Sequence, residues 1–264
     1  MPKPYVVEAY NTAKQSENKM HDDTVARRFG FSGGLVPGVD VYAYMTHVPV
    51  DHWGRDFLAR GSIDCRLLKP VYDGETATVT AAKRDGGLDL TVTSRGETCA
   101  TGHASLPDAP AKLPDWAASG AAAAASARLP ADEISLKTGT WLGIKPFETL
   151  ADWAETYLKD VRETEPLYRR EGLVHPGQIL RAMNWALSHN VVLGPWIHVG
   201  STVQNLTVAP LGKPLTARAL VTGNYDRKGH RFVELDGLVL AGGVPVARIA
   251  HTAIYQPRQA AAAA

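Results

Sequence analysis

The stretch Gly34-Leu35-Val36-Pro37-Gly38, followed by the apolar run Val39 to Met45, is echoed by Leu173-Val174-His175-Pro176-Gly177, followed by Gln178 to Ala186. The offset is a constant 139 residues (37 to 176, 38 to 177), and Gly61-Ser62 with Gly200-Ser201 and Leu67 with Leu206 keep it. A period this long marks a duplicated domain rather than a stack of short units, whose repeats run to about 50 residues. Pro-Gly ahead of an apolar run reads as a helix start, because the N–H that proline lacks would find no partner in the first turn anyway.

Working outward, each copy predicts one helix and a meander of strands. In the first, the helix runs from Pro37-Gly38 to about Val48. Strands are expected over Phe57 to Val71, Glu75 to Lys83, Leu88 to Ser94 and Thr98 to Leu106, with turns at Tyr72-Asp73-Gly74 and Arg84-Asp85-Gly86-Gly87. In the second, the helix spans Pro176 to about Val191, and strands cover Ile197 to Val208, Leu215 to Asn224, Phe232 to Leu240 and Val244 to Tyr255. Both helices are apolar nearly all round, through Val39, Val41, Tyr42 and Met45 in one and Ile179, Leu180, Met183 and Leu187 in the other. Such helices are buried. A buried helix followed by an antiparallel meander is an α+β pattern, and the simplest packing wraps each sheet around its own helix. The domains read as 1–107 and 134–257. An Ala/Pro-rich linker over 108–133 has few large apolar residues to bury, and a tail over 258–264 is expected to be disordered.

Bulk properties exclude several classes. Of 264 residues, 45% are hydrophobic and 21% charged, and the net charge of +1 carries no surplus that would draw nucleic acid or an anionic membrane surface. No apolar stretch spans a bilayer, and the N-terminus has no signal-peptide core, so the cytoplasm is the default expectation. Cys65 and Cys99 read as reduced thiols, and none of the nine histidines shows a metal-binding spacing, so no metal is expected.

The segment Asn18-Lys19-Met20-His21-Asp22-Asp23, then Ala26, Gly30-Phe31 and Leu35-Val36-Pro37-Gly38, resembles the MaoC-like dehydratase and (R)-specific enoyl-CoA hydratase family. The resemblance implies a tandem, or double, hot-dog fold, with two curled antiparallel sheets each holding a central helix. Its motif covers about Ser16 to Met45. His21 matches the motif histidine, Asn18 its asparagine, Asp23 the downstream acid and Gly38 the glycine that opens the helix. Three positions depart: the catalytic Asp falls on Ser16, the Pro on Lys19 and the His before the helix glycine on Pro37.

The resemblance implies a hydro-lyase acting on an acyl-CoA or acyl-carrier thioester, with no cofactor beyond the coenzyme A of the substrate. On this reading His21 is the general acid/base, and Asn18 or Glu17 positions water, Glu17 standing next to the lost Asp. The main chain at Pro37, Gly38 and Val39 meets the thioester oxygen, and Asp23 completes the substrate-binding set. The residue types suit that chemistry. An imidazole titrates near pH 6.5, and aligned N–H groups at a helix start favour developing negative charge.

Plainer roles stand beside these. His21 can be a surface histidine at a helix start that an Asp caps. Gly38 and Gly177 can serve tight packing alone, and Asp40 reads as a structural helix-start carboxylate. The second half has no Asn-x-x-His ahead of His175 and reads as catalytically degenerate. Two other functions fit the same fold. One is an acyl-CoA thioesterase using Asp40 or Asp64, and the other is a non-catalytic protein that binds acyl thioesters. The tandem chain supplies its own sheet pairing, and two such chains can still associate as a homodimer.

Overall fold

A computed structural model describes residues 2–84, 86–109, 111–119 and 121–258. The first half contains β1 (Tyr5–Glu8), α1 (Asp23–Arg28), α2 (Gly38–Trp53), α3 (Arg55–Arg60), β2 (Ser62–Leu67), β3 (Thr76–Arg84), β4 (Gly87–Ser94) and β5 (Glu97–Ser105). Next come β6 (Leu129–Pro130), β7 (Trp141–Gly143), α4 (Ala151–Asp160), α5 (Leu167–Glu171), α6 (Pro176–Ser188), β8 (Val191–Val192), β9 (Ile197–Asn205), β10 (Leu215–Arg227), β11 (His230–Ala241) and β12 (Val244–Gln256).

Ten strands make one antiparallel sheet in the order β1-β3-β4-β5-β2-β9-β12-β11-β10-β7. Read inward from either edge, both halves give the same sequence: a short outer strand, a three-stranded meander, then the strand that follows the buried helix. The halves join where β2 pairs with β9, Ile63 opposite Val203 and Cys65 opposite Ser201. That join removes two exposed edges at once. The helix α2 packs across β1, β3, β4, β5 and, past the join, β9, whereas α6 packs across β7, β10, β11 and β12. The two helices also touch each other. A Cβ on Gly177 would collide with the Tyr157 hydroxyl and stand 2.8 Å from the Ala43 Cβ, so a glycine is what lets α6 lie this close to α2. One core runs through both halves, from Val7 to Tyr255.

The structure corrects the expected elements at several places. The stretch Phe57 to Val71 is not one strand: α3 takes its beginning and β2 starts at Ser62. Gly61 at the break approaches Phe57 so closely that a Cβ would overlap its ring. The helix α2 outruns Val48, passes through Pro49 and ends at Gly54, whose φ of 59° closes it. The helix α6 stops at Ser188, and the next residues form β8, which pairs in parallel with β6. The elements β1, β7, α4 and α5 carried no recognised signal. The stretch 108–133 is fastened along the second half: Ala122 N donates to Ala217 O (3.2 Å), Ala125 N to Asn190 Oδ1 (2.9 Å), and Trp116 meets Trp141 edge-on at 5.2 Å. Residues 259–264 of the expected tail, and Asp85 of the first hairpin turn, lie outside the described residues. Among the described residues, no helix is long and apolar enough to cross a membrane.

Candidate functional site

A small second core holds the motif loop. Met20, Ala26 and Leu35 are buried together, packed by Phe29, Phe31, Tyr72 and Ile197. Within the loop, Lys19–His21 form a single 3-10 turn capped by the Asn18 side chain, which accepts from Met20 N at 3.2 Å. Asp22 then caps α1 through Val25 N at 3.0 Å. The Asp23 carboxylate accepts from Gly34 N at 2.7 Å and draws the returning chain back over the turn. A Cβ on Gly34 would overlap the His21 carbonyl, so the close return needs that glycine.

This folding fixes the His21 ring. Its Nδ1 lies 2.7 Å from the Leu35 carbonyl and its Nε2 lies 3.3 Å from Asn18 Nδ2. A carbonyl only accepts, so Nδ1 carries the hydrogen and Nε2 presents its lone pair. Burial pushes the His21 pKa below its ordinary value, against the opposing Leu35 carbonyl, so the ring is neutral at pH 7. Asn18 is fully engaged. Its Oδ1 accepts from Met20 N and from Trp196 N (3.1 Å), and its Nδ2 donates to Trp196 O (3.0 Å) and faces the histidine. It therefore orients His21 and clamps the motif loop to the second half, rather than holding water as expected.

At the start of α2, Pro37 offers no side-chain cap. Asp40 N and Val41 N bond to the Pro37 carbonyl at 2.9 and 3.1 Å, whereas among the described residues the amides of Gly38 and Val39 have no acceptor. The first two N–H groups of a helix have no partner within it. A Cβ on Gly38 would collide with Leu67 and stand 2.7 Å from His198 Nδ1. Two cavities meet at this point, sharing Asn18, His21, Pro37, Asn184 and Trp196 in their walls. One, of about 230 Å³, is mostly apolar and includes Gly38, Phe31, Leu67 and Ile254. The other, of about 420 Å³, is more polar and includes Val39, Thr12, Arg128, Arg181 and His189.

Two of the expected site residues do other work. Glu17 stands at the rim of the polar cavity with its side chain 76% exposed, ion-paired to Arg128 at 2.8 Å. That pairing holds its carboxyl below the usual range, and Glu17 makes no hydrogen bond to His21. It does not stand in for the Asp that falls on Ser16. Asp23 is exposed, belongs to neither cavity wall, and serves Gly34. The other candidate acids are also occupied. Asp40 is buried under Thr12 Oγ1 (2.6 Å), Tyr157 OH (2.9 Å) and Arg181 Nη2 (2.8 Å). Asp64 accepts from His103 N at 2.9 Å. Neither acid belongs to either cavity wall.

The second half contributes more than its sequence suggested. His175 is sealed in the core as the cap of α6, with Nδ1 accepting from Gly177 N (3.1 Å) and Nε2 facing Glu163 (3.2 Å). The other Glu163 oxygen takes His47 Nδ1 at 2.7 Å. Trp196, Asn184 and His198 reach the first half's site directly. Each comes from the other half of the sequence, so no local spacing ties it to the motif loop.

No protein-family model matches the chain, and no curated protein matches it in sequence. Solved structures match over nearly its whole length. A protein described as a MaoC-domain dehydratase, from Chloroflexus aurantiacus J-10-fl, is 12% identical, with 98% of this chain and 96% of that one covered and a TM-score of 0.64. A Mycobacterium tuberculosis protein described as having a double hot-dog fold is 15% identical, with 96% of each chain covered and a TM-score of 0.60. A tesB protein of Mycobacterium avium subsp. paratuberculosis is 12% identical, with 96% and 93% covered and a TM-score of 0.50. At such identities the likeness is one of architecture, and with the strand order it establishes that this chain has the double hot-dog fold.

Proposed function

We propose that the protein hydrates α,β-unsaturated acyl thioesters, or dehydrates the corresponding 3-hydroxyacyl thioesters. The observation that carries this reading is the neutral His21 ring, with a defined tautomer, at the junction of two cavities beside the uncapped start of α2. The apolar cavity suits a short acyl chain and the polar one suits the amide-bearing arm of coenzyme A or an acyl carrier.

In the hydration direction, the water oxygen bonds C3 and its proton passes to His21 Nε2. The C2=C3 electron pair moves onto the thioester oxygen, which the Gly38 and Val39 amides receive. The enolate then takes a proton at C2 from the His21 imidazolium, and water has been added across the double bond. The contact from Asn18 to Nε2 is long at 3.3 Å and gives way to the incoming water. Asn184, whose Oδ1 is without a partner among the described residues, lies in the wall shared by both cavities and is placed to hold that water. A neutral base below pH 7 fits the lowered His21 pKa.

The thioesterase alternative loses support because Asp40 and Asp64 are both committed elsewhere. A direct test is incubation with trans-2-butenoyl- to octenoyl-CoA in H2-18O. Label at C3 of a 3-hydroxyacyl-CoA is the expected result. Release of free coenzyme A thiol with label in the carboxylate would assign hydrolysis instead.

A further inference from the structure

A chain of three polar side chains in the second half ends at the same helix start. His198 Nε2 lies 2.8 Å from Ser201 Oγ, and Ser201 Oγ lies 2.9 Å from His251 Nδ1. The two imidazoles stack at 4.4 Å. His198 and Ser201 are each 6% exposed and His251 is 1% exposed. Two ring nitrogens are left over, His198 Nδ1 and His251 Nε2, buried and without partners among the described residues. His198 belongs to the wall of the apolar cavity and its Nδ1 lies against Gly38, whereas His251 borders neither cavity.

The backbone places this chain deliberately. Residues 198 and 201 of a regular strand would face opposite sides. Between β9 and β12 the register slips, so that Thr252 opposes Gly200 but Ala253 opposes His198, leaving Val199 as an extra residue. The bulge turns His198 to the same inward side as Ser201, Val203 and Asn205, all buried. Ser201 sits directly opposite His251 in the ladder.

We propose, resting on the thioester reading above, that His198 donates its Nδ1–H to the thioester oxygen alongside the Gly38 amide, and that Ser201 and His251 hold it in the tautomer able to do so. Two proton arrangements satisfy the chain. In the first, His251 Nδ1–H donates to Ser201 Oγ and Ser201 O–H donates to His198 Nε2, so His198 carries its hydrogen on Nδ1 at the cavity. In the second, both bonds reverse, and the hydrogen left over sits on His251 Nε2 in a sealed interior. Each arrangement leaves one N–H without a protein partner; only in the first does it belong to a ring in the wall of a cavity that can admit an acceptor, whereas His251 borders none, so the first arrangement is favoured. Burial also pushes the His198 pKa down to about 4, which keeps the ring a neutral donor at pH 7. The oxygen that gains charge as water adds at C3 would then meet donors from opposite halves of the molecule.

The tautomer is read in the free protein by long-range 1H–15N NMR. The expected spectrum has His198 protonated on Nδ1, and Ser201→Ala mixes the tautomers. A native His198 protonated on Nε2 overturns the proposal. The donor itself is read with 2,4-hexadienoyl-CoA, whose absorbance moves to longer wavelength when its carbonyl is polarised. The native protein and His21→Ala should show the shift; His198→Phe, and Ser201→Ala in part, should lose it while still binding the probe. For substrates that turn over, His198→Phe should lower kcat about 100-fold. An undiminished shift in a folded His198→Phe overturns the donor role. A shifted spectrum without turnover by the native protein removes the hydration reading and leaves the donor standing, whereas failure of the native protein to bind the probe removes both.

Discussion

In the proposed reaction His21 serves as a base by arrangement rather than by a carboxylate neighbour. The Leu35 carbonyl holds its hydrogen on Nδ1, Asn18 holds the ring edge, and burial keeps it neutral. His21→Ala should lower kcat by at least about 100-fold with little change in thermal stability, measured by enoyl-CoA turnover beside a melting curve. Because burial lowers this pKa, activity should persist below pH 6.5 and fall only at more acid pH as Nε2 takes a proton; a pH–rate profile checks the sign. Asn18→Ala should act on two levels. It strips partners from the Trp196 backbone, a loss of about 1–3 kcal/mol in urea unfolding, and it frees the His21 ring, lowering kcat as well. His21, Asn18 and Gly38 were legible because the motif is local in sequence. The displacement of Glu17 was not, since its partner Arg128 is 111 residues away. Nor was His198, which reads as an ordinary strand histidine until the extra residue Val199 is seen against β12.

At the level of elements, the buried helices set the geometry. Both were legible because an apolar surface on nearly every side has one consistent explanation, and the meanders followed from alternation and glycine turns. The elements β1 and β7 are too short, at four and three residues, to show a period, and α3 hides inside a stretch rich enough in apolar residues to pass for strand. Contacts between helices were invisible for a different reason, since they depend on which glycines face a partner. Gly177→Ala forces a methyl into the Tyr157 hydroxyl, which itself donates to Asp40. The expected cost is about 1–3 kcal/mol by denaturant unfolding. Glu163 ties α2 to α6 through His47 and His175. Glu163→Ala leaves the buried His175 and the half-buried His47 without their acceptor, and the loss should reach about 3 kcal/mol.

At the scale of the whole molecule, the β2–β9 join and the shared core make the duplicated halves one unit, and the candidate site lies where they meet. The duplication was readable from Pro37-Gly38 and Pro176-Gly177; the division of labour between halves was not, because it arises from contacts such as Asn18 with Trp196 and Gly38 with His198. The buried His198 and His251 also set how stability depends on pH. Burial lowers both pKa values, His198 to about 4 from an ordinary 6.5. The unfolded chain therefore binds protons that the folded chain refuses. Stability is full above pH 6.5 and declines as pH falls toward 4, by about 1 kcal/mol per pH unit for each ring. Glu163, held below the usual carboxylate range by His175 and His47 against the cost of burial, adds a further loss below about pH 4.5. Urea midpoints from pH 7 to 4 should show the decline, and a double His198→Gln, His251→Gln variant should flatten its upper part.

In the proposed reaction His21 moves the proton of a water added to an enoyl thioester held at the start of α2. That role is tested most directly by following loss of the conjugated enoyl absorbance of trans-2-butenoyl-CoA with native protein and with His21→Ala side by side. Turnover to 3-hydroxybutanoyl-CoA by the native protein, with loss of at least about 100-fold in the variant, is the expected result. Equal rates from the two proteins, or no turnover by the native protein with any enoyl-CoA from four to eight carbons, would contradict it.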